Sequence, residues 1–405
     1  MKIRQLGRNI GPGIIITAAF IGPGTITTCI KAGYENGYSP IGIMILSIVI
    51  AIIVQVFAAK LGLITQNSIS QSIRENNKSF LSKFLSVLFV VFPIFISCSA
   101  FETGNITGAV IGLKGVVSNC PVWIYILIIS LFVFLVLWND KYRKIERILS
   151  VLVFIMAICF VISTILIQPD WNQVLWNIFD IDLYKHNTLI IGALLGTTIG
   201  AYNIFLHSEL AAKRWHKTSD LKYMIFDTIL SIGIGGIISC CIIVVAGTVA
   251  NQMEITQLSV ENFATILYIP LGNIGQIIFY IGLFAAGITS AVTAPLAASY
   301  TIAGIFCKEN EKKNLIIKRF VLLSILLIGT TFSLVWGRSP QELIVIVQII
   351  NAIILPFIMI FLLKVLNSKQ MGTYKNKLLE NIVFAIMILI CSAIGVVNVH
   401  QIFVR

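Results

Sequence analysis

Acidic side chains are scarce here: 17 Asp and Glu among 405 residues, against 29 Lys and Arg. Charged residues of both signs make up only 11% of the chain. Carboxylates this sparse supply no obvious acid–base pair. The cysteines, Cys29, Cys98, Cys120, Cys159, Cys240, Cys241, Cys307 and Cys391, lack the paired spacing of a zinc or iron–sulfur site. Most lie inside apolar runs, where a thiol behaves as a small hydrophobe. There is no glycine-rich phosphate loop and no nucleophile–base–orienter set. An enzyme is therefore not expected, and neither is a cofactor. A polar stretch long enough for a separate soluble domain is also missing. The net charge of +12 is spread over short loops, so it speaks for topology and against nucleic acid.

What is abundant is apolar length. The chain is 58% hydrophobic with a mean hydropathy of +0.95, the composition of a polytopic membrane protein. Eleven spans are predicted, at roughly 10–33, 41–64, 84–112, 122–139, 146–168, 188–213, 223–250, 272–306, 317–337, 342–366 and 381–402. Lys2, Arg4 and Arg8 precede the first run as in a signal peptide. No small-residue cleavage site follows, so an uncleaved first helix is expected. With the N-terminus in the cytoplasm, only Lys31, Lys114, Lys185, Arg338 and Arg405 of the 29 basic residues fall outside. That bias is the one the positive-inside rule requires, and a multi-pass protein of the plasma membrane is expected. The lipid bilayer is its surroundings, and no partner beyond a transported solute or ion, with protons, is called for. It reads as a monomer.

The first span is interrupted by Gly22-Pro23-Gly24. Proline removes a backbone donor and clashes with the preceding turn, and glycine weakens what remains. A helix broken at membrane depth is tolerated where the freed backbone meets protein or lines a cavity, and in transporters such breaks mark the substrate site. A proline kink without a ligand is the plain alternative. Ten spans divide into five plus five, and an odd number per repeat inverts the second repeat. The first repeat would run over about 10–168, the second over about 188–366, and 381–402 would be an extra helix. Span 6 should then carry a matching break. Gly196-Thr197-Thr198-Ile199-Gly200 is its poorest helical stretch, although small residues at this spacing also serve close helix packing.

Further residues carry a family resemblance. They are Gly11-Pro12-Gly13 with the break that follows it, Gln55 and Ala58-Ala59-Lys60-Leu61-Gly62, and Asn203-Ile204-Phe205-Leu206-His207-Ser208. Gly282-Leu283-Phe284-Ala285-Ala286-Gly287, Gln348 and Leu355-Pro356-Phe357 complete the set. In this order they resemble the NRAMP family of proton-coupled divalent-metal transporters over most of the chain. The resemblance implies an all-α, leucine-transporter-like inverted repeat with an eleventh helix, and metal-ion symport. It also implies where the metal would sit: an Asp and an Asn of span 1, a carbonyl and a Met of span 6. Those positions hold Gly22, Thr25, Thr197 and Gly200, and the family's Pro-His is Ala201-Tyr202. The family's proton-pathway acids fall on Glu102 and Asn105, and His207 lies one turn beyond the lost histidine.

Candidate substrate residues are thus Gly22, Thr25, Thr197, Gly200, Tyr202, Asn203 and Gln348, with Thr25, Thr197 and Gln348 as possible metal ligands. Glu102 and His207 are the candidate proton pathway, because a buried carboxylate in a membrane is costly and histidine titrates near neutrality. Gly200 leaves space where a thioether would stand. Without an Asp at position 22 the site is neutral, and three readings stay open. One is a weakly held, partly hydrated metal ion. The second is a small anionic or zwitterionic solute at the half-helix end near Thr25. The third is a transport-inactive sensor or partner.

Overall fold

The computed structural model describes residues 20–76, 79–117, 120–138, 142–179, 187–252, 264–308, 311–336 and 340–404. The first half of span 1, residues 10–19, lies outside them, as do Asp180, Asp182, Lys185, Glu254, Glu261 and Arg338. The described residues form helices and no strand. Among the described residues nine helices are long and apolar enough to cross a membrane. The 17-residue apolar helix Val122–Trp138 and the broken span 1 stand at the other two expected positions.

Local chemistry explains the boundaries. Pro40 opens the second span, Pro40–Thr65, at a first-turn position where its missing N–H costs nothing. Asp170 caps Trp171–Asn177, its Oδ1 accepting from the Asn172 and Gln173 amides at 3.0 and 3.2 Å. Span 3 begins as Phe80–Ser86, passes a wide turn at Val87–Val91 and continues as Phe92–Val116. Pro93 follows that turn and offers no amide to the helical ladder, which accounts for the local widening. In span 8, Gly272 takes φ +62°, so Thr265–Leu271 forms a separate turn and the span proper starts at 272 as expected. Several hydroxyls inside the spans turn back onto their own helix, among them Thr103, which donates to the Ser99 carbonyl at 3.0 Å, and Thr164, which donates to that of Phe160 at 2.8 Å. No solvent is needed to satisfy them.

Packing separates a centre from a periphery. The apolar window of span 6 is 89% buried, against 22% for span 9 (Lys312–Trp336) and 28% for span 11 (Leu378–Val404). Span 6 is therefore enclosed by protein, while spans 9 and 11 leave most of their surface for lipid. Span 3 runs along span 8 and also touches spans 9 and 10. Span 10, Pro340–Leu366, lies directly on the first half of span 6. The contact is backbone on backbone, for a Cβ at Gly196 would collide with the Gln348 carbonyl oxygen.

Gly196→Ala is accordingly expected to cost about 1–3 kcal/mol by overpacking. Gly233→Ala, with nothing within 4 Å of the added carbon, is expected to be neutral or to gain up to about 1 kcal/mol of helix propensity. Thermal unfolding of both variants in detergent tests the contrast.

Candidate functional site

Both breaks are present, and they face each other. In span 1, Ile21 and Gly22 are unwound, with Gly22 extended at φ −94°, ψ 179°. Pro23 then starts the helix Pro23–Asn36, and the Gly22 carbonyl accepts from the Ile26 amide at 3.1 Å. In span 6, the helix Thr188–Thr198 ends, Ile199 leaves the helical region at φ −116°, ψ 78°, Gly200 is extended, and Ala201–Arg214 begins. No proline is needed there. Asn351 of span 10 reaches the unwound turn, its Nδ2 donating to the carbonyls of Gly196 at 2.5 Å and Ile199 at 2.9 Å. Its Oδ1 accepts from the Ala201 amide at 3.3 Å and from Ser97 Oγ at 2.9 Å.

The two breaks are joined by hydroxyls. Thr25 Oγ1 donates to the Phe20 carbonyl, across the span 1 break, so the proton of its 2.8 Å bond to Thr197 Oγ1 comes from Thr197. Around this pair Gly22, Asn105, Tyr202, Asn203 and Ser290 line a cavity of about 10 Å³, the room of one water. The ring of Tyr202 meets Phe101 edge-on, centroids 5.3 Å apart. No charged side chain lines this cavity among the described residues. Three of its buried polar atoms, Asn105 Nδ2, Asn203 Oδ1 and Ser290 Oγ, have no hydrogen-bond partner there. The helix starting at Pro23 adds first-turn amides without ladder partners, a partial positive charge.

Two expectations are revised in detail. Gly200 does not leave free space: a Cβ there would fall 2.9 Å from Asn203 Nδ2 and 3.4 Å from the Tyr202 ring, so the Asn203 amide has moved into the room. Gln348 is not in the cavity wall but stands at its edge, against Gly24, where a Cβ would collide with its Nε2. Its Oε1 is buried and unpartnered. Asn351 and Ser290 belong to this region and were not singled out for it from sequence. The one available signal was Asn351 standing one turn from Gln348 in an apolar helix.

A family model described as natural resistance-associated macrophage protein-like matches residues 13–401. The chain belongs to the Nramp family. It is 27% identical over 391 residues to the metal transporter Nramp5 of Oryza sativa subsp. japonica, covering 91% of this chain and 71% of that one. It is 25% identical over 418 residues to the divalent metal cation transporter MntH of Staphylococcus aureus, covering 97% and 91%. The crystal structure of a manganese transporter from Eremococcus coleocola superposes with a TM-score of 0.76 at 19% identity, covering 98% of this chain and 87% of that one. The architecture is thus the all-α, leucine-transporter-like membrane fold of the Nramp transporters. This is a multi-pass membrane protein of a transporter family.

Within this Nramp chain the structure keeps Glu102 and His207 apart from the cavity. Glu102 is fully buried on span 3 with both carboxyl oxygens unpartnered among the described residues, packed against Gly329 of span 9. Asn105, one turn on, does reach the cavity wall. His207 is fully buried in the second half of span 6; its Nδ1 shares a 3.0 Å bond with Gln55 Oε1 and its Nε2 has no partner. Glu209 pairs with Lys213 at 2.8 Å along the same helix, as its spacing suggests.

The hydroxyl bridge between the breaks invites a double-mutant cycle. Thr25→Val, Thr197→Val and the double variant should show a coupling of about 1 kcal/mol in thermal unfolding. Strictly additive losses would mean that the bridge contributes nothing.

Proposed function

We propose that this Nramp member is a secondary active transporter that carries a divalent metal ion between the breaks of spans 1 and 6. The observation that carries the reading is the buried cavity where two unwound turns meet through Thr25 and Thr197. The family, and relatives named as metal transporters, support a metal as cargo. Thr25, Thr197 and Gln348, with backbone carbonyls, are the oxygen donors. A divalent ion leaving water must regain its hydration energy from such donors, and hard ions ask for carboxylates and carbonyls. With Gly22 in place of an acid the ion is held weakly and keeps part of its water. To admit it, the Thr25 and Thr197 hydroxyls part from each other, and Tyr202 and Asn203 draw back from Gly200.

The scaffold for this cycle is two inverted repeats, residues about 10–168 and 188–366, with 381–402 outside them. The N-terminus is cytoplasmic, the membrane is the plasma membrane, and the protein acts as a monomer. Glu102 and His207 carry the coupled proton. Glu102→Gln in proteoliposomes is expected to remove the pH dependence of uptake and leave the fold intact; unchanged proton uptake would rule Glu102 out.

A second reading takes its support from the uncharged cavity wall beside the first-turn amides of Pro23–Asn36: a small anionic or zwitterionic solute. One substitution separates the two. If the cargo is a metal, Gly22→Asp should tighten Mn²⁺ binding about tenfold or more by adding a charged ligand. If it is an anion, the same change places a carboxylate where the solute's own charge sits and abolishes uptake. Calorimetry with Mn²⁺ and Mg²⁺, beside uptake of small carboxylates, reads both outcomes.

A further inference from the structure

We infer that Asn351 is a positioning residue for transport, setting the shape of the span 6 break and through it the placement of Thr197 in the cavity. The inference rests on the reading that this cavity carries the cargo.

A carboxamide has two N–H donors and two acceptor lone pairs, and Asn351 uses all four. Its partners are the Gly196 and Ile199 carbonyls, the Ala201 amide and the Ser97 hydroxyl. The first three flank the unwound turn on both sides, and the fourth belongs to span 3. Asn351 itself has no exposed surface. An amide placed at membrane depth is costly unless its hydrogen bonds are made, and so are peptide groups released from a helix. Here each satisfies the other.

The pattern of bonds is selective. Of the carbonyls at the end of Thr188–Thr198, that of Leu195 accepts from the Ile199 amide. Those of Gly196 and Ile199 are taken by Asn351. Thr197 and Thr198 lie between the two held points, and the Thr198 hydroxyl is turned back to the Leu194 carbonyl at 2.7 Å. Thr197 is the one that faces Thr25. Clamping the turn at residues 196, 199 and 201 therefore fixes where Thr197 stands. One turn earlier on span 10, Gln348 rests on Gly24 beside the span 1 break. A single stretch of span 10 thus touches both breaks, and Ser97 ties it to span 3. A cation site of neutral oxygens depends on such preorganisation, because it has no charge with which to draw its ligands together.

The test uses the full-length protein in proteoliposomes with Mn²⁺ and Mg²⁺ as probes. Asn351→Leu keeps similar volume and loses all four bonds; Ser97→Ala loses one. The expected result is a KM raised about tenfold in Asn351→Leu and about twofold to threefold in Ser97→Ala. The maximal rate per folded molecule should change less than KM in both. An unchanged KM in folded Asn351→Leu overturns the proposal, as does a loss confined to maximal rate. Should Asn351→Leu not fold, Ser97→Ala decides by the same criterion. If the wild type takes up neither ion, it is the cargo reading that fails. Hydrogen exchange then judges the clasp: faster exchange over residues 196–203 in Ser97→Ala, with span 7 unchanged, supports it, and equal exchange over 196–203 overturns it.

Discussion

Peptide groups freed from a helix inside a bilayer have no water to turn to, and the structure depends on how that constraint is met at the two breaks. In span 1 the solution is local: Pro23 has no amide to satisfy, and the Gly22 carbonyl is taken up by the turn that follows. In span 6 it is remote, for the donors and the acceptor come from Asn351, 150 residues along the chain. The same side chain excludes the simpler outcome of a continuous span 6, since a wound helix would consume the groups that Asn351 needs. Close approach of span 10 to Gly196 follows from this, and so does the deep burial of span 6.

The cavity between the breaks is uncharged, and its chemistry is that of hydroxyls, carboxamides and backbone dipoles. Thr25 bridges to the Phe20 carbonyl on one side and to Thr197 on the other, so one hydroxyl links both breaks. Asn105, Asn203 and Ser290 leave polar atoms without partners around it. Buried polar atoms in such a state are costly to leave unmade, which favours a ligand or a water that completes them. The cavity as it stands has room for one water. Glu102, by contrast, is sealed between spans 3 and 9, away from the wall its neighbour Asn105 reaches.

Much of the architecture was legible in the residues. The spans stood out because apolar length is a local property: among the described residues helices stand at the expected positions, nine of them long and apolar enough to cross a membrane, and residues 10–19 lie outside those described. Pro23 marked the first break because proline cannot serve a helical ladder wherever it lies. The Glu209–Lys213 pair could be read from its spacing of four. The second break was only suggested by Gly196 and Gly200, since glycine permits a break without requiring one.

What the tertiary structure alone decided is who meets whom across the chain. Gly200 was read as open space, but the Asn203 amide fills it, because the volume beside a glycine belongs to its neighbours in space. Gln348, a candidate ligand, stands at the cavity's edge against Gly24, a position that only the packing of span 10 on span 1 reveals. Asn351, one turn from Gln348 in an apolar helix, holds the span 6 break, which its position in the sequence does not show. The sequence by itself determined which segments cross the membrane, where one helix must stop and that no acid stands at position 22, since each follows from the residue and its immediate neighbours. The partners of the freed backbone could be decided only by folding, because a hydrogen bond between Asn351 and Gly196 depends on where two distant helices are brought together.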